Sequence, residues 1–391
     1  MSSVFFYSFS YNMLRNAIGL VIASIALLTV SCNKIDKRAK VVIAELNKET
    51  EVSLFEIGGQ ARIVPIISDR VIGNITWIKK YGDNIILYDD SQRQIWFVDK
   101  DGKAVLFDRL GRGPEEYIDI SCFAYLEDSD ELVIYNRHAK TIMFYSLTSY
   151  RLNRSLALDF YINDMEVLPG GGLIMAREGD RTTGTNAAII VQKGINDSCE
   201  VLIPLKEIQG ELFEGFSFVH GKNSTFFGVT GPTLDLYSYN TYLEDLQSIA
   251  FVPDVLGRRF WNQRNYNKQE EMLLETMTLQ GGKMAVAPIF ISKSDDAVCF
   301  WYITGSGISS HNLPDRNCCI VKNGTAQVYN AISCPELGID RLQPIGSDGR
   351  SYISLITAGE VTPQAGTELG DAFLSLKEEG TDVALLVYNL L

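Results

Sequence analysis

Two hydrophobic segments of the chain recur at the same spacing, and this repeat restricts the fold more than any other feature of the sequence. The segment Asn84–Asp89 recurs as Glu131–Asn136, and Gln94–Val98 recurs as Thr141–Tyr145, in both cases 47 positions later. Each copy consists of two short apolar segments joined by a polar turn. A shared offset of this length indicates one supersecondary unit that is used several times.

Four further pairs of short hydrophobic segments follow, so the sequence predicts six units. Their β-branched and aromatic residues, bounded by Gly, Asp, Asn and Ser, are typical of strands and turns. The pairs are 172–176 with 188–191, 225–229 with 234–238, 283–286 with 298–302, and 352–355 with 384–388. Units of about 40 to 50 residues with about four strands each predict an all-β, six-bladed β-propeller over residues 51–391. The alternative all-β arrangement is two sandwich domains.

The predicted ring has to close at its last unit, which ends at Leu391 without an outer strand after it. The segment Val52–Ile57 alternates apolar and polar residues, as a half-buried strand does. We therefore expect an N-terminal strand at this position to close the propeller.

An apolar run from Ala17 to Val30 follows a single basic residue, Arg15, and ends just before Ser31 and Cys32. The run is too short for a membrane span of about 20 residues, and it is typical of a targeting peptide. It resembles a bacterial lipoprotein signal, which implies cleavage before Cys32 and acylation of its thiol. We expect a signal peptide over 1–31, a tether over 32–50 and a lipid anchor in the cell envelope, at the outer membrane. The alternative is an uncleaved N-terminal anchor.

The remaining chain is strongly acidic. Without residues 1–31 it holds 34 Lys and Arg against 48 Asp and Glu, a formal charge of −14. Nucleic-acid affinity comes largely from basic residues that neutralise phosphates. The sequence therefore argues against a nucleic-acid partner.

A glycine-rich loop lies between the first two units and carries the clearest family resemblance. Its residues are Arg109, Leu110, Gly111, Arg112, Gly113, Pro114, Glu115, Glu116 and Tyr117. Together with the preceding turn at Asp101 and Gly102, it resembles the bacterial six-bladed β-propeller lipoproteins, which are distant relatives of the NHL-repeat propellers. The resemblance is specific over about residues 84–158. Glu115 stands where that family usually has a third glycine.

The residues of this loop themselves predict a structural role. Gly111 and Gly113 allow backbone angles that other residues disfavour, and Pro114 restricts the next φ angle. We expect a tight crossing between blades, with Arg109, Arg112, Glu115 and Glu116 bracing adjacent blades through ion pairs. The alternative is a polar cluster that holds a ligand at one face.

Catalytic and metal-binding motifs are missing from the sequence. The histidines are His138, His220 and His311, which lie in three different units and fit no zinc-ligand spacing. We interpret them as turn residues. The sequence therefore predicts no catalytic residue, metal or cofactor.

Six cysteines remain besides Cys32, and an exported protein can form disulfides. Cys299 is expected on a strand next to the one that carries Cys318 and Cys319, which would allow one bridge. Cys122 and Cys199 are expected to be small core residues.

Two insertions between strands are the predicted sites of binding. The first contains Arg258, Arg259, Phe260, Trp261, Arg264 and Tyr266. Aromatic rings stack on sugars and arginine pairs with carboxylates, so this insertion could contact a glycan or an acidic protein. Alternatively, Phe260 and Trp261 only pack on the rim of the ring. The second insertion, 357–382, is expected to contain a short amphipathic helix.

These features predict a lipid-anchored propeller that acts as a binding or scaffold module in the cell envelope, for glycans or envelope partner proteins. The alternative is a propeller enzyme, of lyase or lactonase type, with a metal in the central channel. Four or more converging Asp, Glu, Asn or His side chains in the channel would favour the enzyme, and an apolar or plugged channel would favour binding.

Overall fold

Six blades, each with four antiparallel strands, make up the fold, as the repeat predicted. The first and last blades are joined into one eight-stranded sheet by a short parallel pairing of Gly346 and Ser347 with Ile78 and Lys79. The computed structural model describes residues 40–44, 50–180, 182–194, 196–205, 218–221, 223–229, 234–253, 284–294, 297–305 and 315–390. From Val41 onward, these residues belong to one compact unit. Within the described ranges, no helix has both the length and the apolar character needed to cross a membrane.

Blades 1 to 5 each consist of four strands that follow one another in the chain. Blade 1 contains β4 (Ile75–Tyr81), β5 (Asn84–Asp89), β6 (Gln94–Val98) and β7 (Ala104–Phe107). Blade 2 contains β8 (Cys122–Leu126), β9 (Glu131–Asn136), β10 (Thr141–Ser146) and β11 (Leu152–Ala157). Blade 3 contains β12 (Ile162–Val167), β13 (Leu173–Arg177), β14 (Ala188–Gln192) and β15 (Glu200–Pro204).

The second half of the ring follows the same plan. Blade 4 contains β16 (Phe218–His220), β17 (Thr225–Val229), β18 (Leu234–Asn240) and β19 (Asp245–Pro253). Blade 5 contains β20 (Met284–Lys293), β21 (Ala297–Gly305), β22 (Asp315–Lys322) and β23 (Thr325–Tyr329). Blade 6 contains β25 (Gly346–Ser347), β26 (Tyr352–Thr357), β27 (Val383–Asn389) and, from the N-terminal part, β3 (Gln60–Pro65).

The remaining elements lie around these blades. They are β1 (Lys40–Ala44), β2 (Glu51–Ser53), β24 (Ala331–Ser333), the α-helix α1 (Glu368–Glu378) and 3-10 helices at Glu127–Ser129 and Pro335–Leu337. Strand β1 falls in the segment expected to be a tether, and it extends the outer edge of blade 4 next to β19. Helix α1 lies in the insertion where a helix was predicted, with Leu369 and Phe373 buried.

The strand that closes the ring is β3, and not the predicted segment Val52–Ile57. Strand β3 pairs antiparallel with β27, with Ile63 opposite Leu386. Strand β2 instead pairs parallel with β24. The prediction of an N-terminal closing strand is confirmed, but the residues that form it lie further along the chain.

A tight turn after β2 explains this shift. The amide of Gly59 donates to the carbonyl oxygen of Leu54 at 2.9 Å, and Gly58 between them has a φ of +78°. Leu54 is fully buried in the core between blades 5 and 6. Alternating polarity alone could not reveal this turn, because Leu54 is buried by a turn that ends the strand.

Both faces of a blade are buried, which explains why its central strands are apolar at successive positions. In β9, Val133 and Tyr135 pack against blade 3 in one cluster, whereas Leu132 and Ile134 pack against blade 1 in another. Successive side chains of a strand point to opposite faces. Each blade is therefore held by a separate core on each side.

Two rims of the ring differ in the connections that they carry. Neighbouring strands within a blade are antiparallel, so successive chain reversals alternate between the rims. The turns from second to third strands and the crossings to the next blade lie on one rim, which we call the crossover face. The connection that contains α1, between β26 and β27, lies on this face.

Candidate functional site

A buried cluster of charged groups joins the first strands of blades 1 and 3. The Lys79 ammonium on β4 lies 3.1 Å from Glu166 Oε2 and 3.8 Å from Asp164 Oδ1, both on β12. It also donates to the carbonyl oxygen of Met165 at 3.0 Å. First strands contact one another around the ring, so this cluster occupies its centre. The lysine therefore ties two blades together across the interior.

Neighbouring groups complete the hydrogen bonds of the two carboxylates. The Tyr81 hydroxyl donates to Glu166 Oε1 at 2.8 Å. The Phe218 amide of blade 4 donates to Asp164 Oδ2 at 3.0 Å. The cluster thus connects blades 1, 3 and 4, and buried polar groups that are satisfied in this way specify one arrangement of their neighbours.

The electrostatics of the cluster follow from burial and from the enclosed lysine. Burial raises the pKa of Asp164 to about 6, against the opposing attraction of Lys79. For Lys79, burial lowers the pKa, but Glu166 and Asp164 raise it, and the net shift is upward. The ammonium is therefore held in its charged form by the carboxylates around it.

His220 lies beside this cluster, contrary to its interpretation as a turn residue. It is the last residue of β16, and its ring centroid is 5.5 Å from that of Tyr81. Among the residues with described positions, none forms a hydrogen bond with its buried Nδ1. His138, in contrast, lies in the turn between β9 and β10, and His311 falls outside the described residues. Across the residues that the structure covers, no three His, Cys, Asp or Glu side chains are grouped so that they could hold a metal ion.

The motifs of the sequence did not predict this cluster, although the strands that form it carry a signal. Lys79 and Tyr81 are two positions apart on one strand, as are Asp164 and Glu166 on another, and residues so spaced share a face. Charges at such positions within apolar strands have to be paired when they are buried. Which strands would meet depended on the closed ring.

The glycine-rich loop folds around the carboxylate of Glu116. The amide of Gly113 donates to Glu116 Oε2 at 2.7 Å, and the amide of Gly111 donates to the Tyr117 carbonyl oxygen at 2.9 Å. A Cβ at Gly111 would lie 1.9 Å from Glu116 Oε2. Neither glycine has a positive φ. The prediction that they supply backbone angles disfavoured by other residues was therefore wrong. They leave space for the carboxylate instead.

Tyr117 anchors this loop between blades 1 and 2. It is fully buried, and its ring stacks on Phe107 with centroids 6.5 Å apart. The hydroxyl of Tyr145 in blade 2 donates to the Glu115 carbonyl oxygen at 3.1 Å. The loop is thus held by aromatic packing against blade 1 and by a hydrogen bond from a side-chain hydroxyl of blade 2 to a carbonyl oxygen of the loop.

The crossover face carries a cluster of cations and an aromatic ring at the junction of blades 2 and 3. Lys140 Nζ lies 3.9 Å from the ring centroid of Tyr161, and the Arg137 guanidinium lies 5.0 Å from it. Arg137 also pairs with both carboxylate oxygens of Glu178, at 2.6 and 2.9 Å. The guanidinium of Arg137 therefore already binds a carboxylate of the protein itself.

The predicted binding residues Arg258, Arg259, Trp261, Arg264 and Tyr266 lie outside the described residues, as do Phe260 and the lipidation site Cys32. The strands on either side of the insertion are described. Strand β19 is the last strand of blade 4 and β20 is the first of blade 5, so β19 ends and β20 begins at the crossover face. The predicted binding insertion therefore departs from the same face as Tyr161.

Comparisons with known proteins agree with this fold. A family model described as 6-bladed beta-propeller matches residues 67–218, which span blades 1 to 3. A putative exported protein from Bacteroides fragilis has a similar structure, with a TM-score of 0.61 at 13% identity over 90% of this chain and 99% of that chain. The sequence matches no curated protein.

Two further solved structures show weaker similarity. A member of the DUF4221 family from Bacteroides vulgatus has a TM-score of 0.45 at 7% identity, over 85% of this chain and 98% of that chain. A virginiamycin B lyase from Staphylococcus aureus has a TM-score of 0.40 at 11% identity, over 85% and 100%. The six blades of the structure and the family match over residues 67–218 together show that the chain folds as an all-β, six-bladed β-propeller.

Proposed function

We propose that the protein is a lipid-anchored propeller of the cell envelope that binds a glycan or an envelope partner protein at its crossover face. One observation carries this proposal: both large insertions connect strands at that face, on a scaffold held rigid by buried cores. Loops on a rigid scaffold commonly carry binding. The resemblance to NHL-like propeller lipoproteins and the sequence before Cys32 support the location.

The chemistry of the described part of that face supports an acidic or sugar ligand. Tyr161 offers an aromatic ring beside two cations, Lys140 and Arg137. Aromatic faces stack on sugars. The Arg137 guanidinium is already paired with Glu178, so Lys140 is the cation that we assign to an acidic group of the ligand. The basic and aromatic insertion at 256–268 extends the same chemistry.

The centre of the ring favours binding over catalysis. A lyase or lactonase with a metal in the channel would need free carboxylates at that position. Asp164 and Glu166 are instead engaged by Lys79, Tyr81 and the Phe218 amide. The cluster links blades in the interior of the ring. We therefore place the proposed binding surface on the crossover face.

Replacing Cys32 with Ala tests the anchor. We expect the variant to leave the detergent phase after phase separation and to take up no labelled fatty acid, because the acylated thiol is lost. Cys199→Ala is the matched control, since that cysteine lies on the propeller, and it should partition like the wild type. If Cys32→Ala remains in the detergent phase and the wild type incorporates no label, the lipoprotein assignment is wrong.

Replacing Trp261 with Ala tests the binding surface. If Trp261 is an exposed anchor, the variant should lose about 2 kcal/mol or more of ligand affinity, the usual scale of an interface hot spot, with unchanged thermal stability. The measurement is titration calorimetry against a panel of acidic and neutral polysaccharides, together with melting curves. Tyr242→Ala is the control, because this exposed tyrosine lies in the turn between β18 and β19 on the opposite rim.

The alternative role of Trp261 gives a different result. If the side chain packs on the rim, the substitution should lower stability by roughly 3 kcal/mol, as large-to-small changes of buried aromatics do. Binding per folded molecule would then be unchanged. That outcome would rule out Trp261 as a contact residue.

A further inference from the structure

We propose that Cys299 and Cys318 form a disulfide bond inside blade 5. Their Sγ atoms lie 3.4 Å apart, although the residues are separated by 19 positions in the chain. Both side chains are completely buried. A disulfide is about 2.05 Å long, so formation of the bond would bring the sulfur atoms about 1.4 Å closer together.

The strand register explains why these two cysteines meet. Cys318 on β22 lies opposite Trp301 on β21, and Trp301 is two positions after Cys299. Residues two apart on a strand share a face, and diagonal neighbours across two strands are close enough for their side chains to touch. Cys299 and Cys318 both belong to the core between blades 5 and 6.

The same register excludes Cys319, which the sequence had left open as a partner. Cys319 follows Cys318 directly, so its side chain points to the other face of the sheet. It lies in a different core, with Phe300 and Val42. In the part of the chain that the structure describes, no other two cysteine sulfur atoms are in contact.

The bond has to form during folding and before the core closes. The thiolate is the nucleophile in disulfide exchange, and burial raises the pKa of the Cys318 thiol well above its ordinary value. In the closed core, the thiol therefore stays protonated and out of contact with an oxidant. While blades 5 and 6 are still apart, both thiols are accessible.

The reaction is a two-electron exchange with a protein or glutathione disulfide. One cysteine thiolate attacks a sulfur of that oxidant, which forms a mixed disulfide and releases one thiolate. The second cysteine thiolate then displaces the other half of the oxidant. The two protein thiols lose two protons and two electrons in all, and the oxidant leaves as two thiols.

In the cell, this reaction rests on the proposed export, because oxidising compartments supply such oxidants. We therefore test the bond with purified full-length protein, refolded from denaturant with reduced and oxidised glutathione. The refolded protein is denatured, alkylated without reductant, digested with trypsin and analysed by mass spectrometry. Cys319→Ser is the control, because Cys318 and Cys319 lie in one tryptic peptide, 317–322.

We expect two of the six propeller cysteines to resist alkylation, with the peptide containing Cys299 joined to peptide 317–322. The link should persist in Cys319→Ser and disappear in Cys318→Ser. Full alkylation of the refolded wild type, or loss of the link in Cys319→Ser, would overturn the proposal. Protein from the envelope fraction gives a separate answer: a bond that forms on refolding but is absent from cells counts against export, and not against this pairing.

Discussion

Replacing Lys79 with Ala should lower the free energy of unfolding by about 3 to 5 kcal/mol, the cost of removing one partner from a buried ion pair. Asp164 and Glu166 would remain in the centre of the ring without the ammonium that neutralises them. Chemical denaturation followed by tryptophan fluorescence and circular dichroism measures this loss. We expect the midpoint to fall without aggregation, because the outer strands are untouched.

Two control variants distinguish lost charge from lost packing. Lys193→Ala removes an exposed pair with Glu244, and surface ion pairs contribute little, so it should behave like the wild type. Lys79→Met combined with Asp164→Asn and Glu166→Gln removes the charges together, and it should recover much of the stability, because replacing a whole buried ionic group is often neutral. If Lys79→Ala is no less stable than Lys193→Ala, the cluster does not hold the blades together.

Removing the closing strand should destabilise the ring by a similar amount. A chain that begins at Ile66 lacks β3, which leaves the edge of β27 unpaired and deprives the core of Val64, a residue that is only 2% exposed. Full burial of a side chain such as that of Val64 contributes about 1.5 to 3 kcal/mol, and the partly buried Ile63 adds a smaller contribution. Unpaired strand edges also promote aggregation, so we expect a lower melting temperature and soluble aggregates in size-exclusion chromatography.

A chain that begins at Gly59 is the matched control, since it keeps β3 and lacks β2. It should remain monodisperse and melt well above the shorter chain. Equal melting temperatures for the two truncated chains would show that β3 does not close the ring.

The position of β3 shows that an alternating pattern can predict a strand but not its pairing partner. Both 52–57 and 60–65 contain alternating apolar residues, and either could have been the outer strand of the last blade. Which segment closes the ring depended on the turn at Gly58 and on the pairing with β27, more than 300 positions away along the chain. For example, the amide of Gln60 and the side chain of Asn389, which form a hydrogen bond, are 329 positions apart. A local pattern contains no information about a partner so remote.

The blades themselves were predictable, because a blade must bury both of its faces. Because of that requirement, the central strands are apolar at successive positions. The pattern of β5 and β6 recurs 47 positions later in β9 and β10. The fifth unit was displaced by one strand: the predicted pair, 283–286 with 298–302, belongs to the first and second strands of blade 5. The first three strands of blade 5 are longer than most strands of the other blades, so its hydrophobic segments do not show the spacing found in the other units.

The sequence by itself determined the six units, the strand content and the apolar or polar character of each strand, since these depend on residue type and local spacing. Only the closed ring decided which strand completes blade 6, which of two adjacent cysteines faces Cys299, and that Lys79 meets Asp164 and Glu166. The partners of Lys79 lie 86 and 87 positions away in the chain at Met165 and Glu166. When the ring closes, the first strands of the blades meet around one axis. Side chains that are far apart in the sequence therefore become neighbours there.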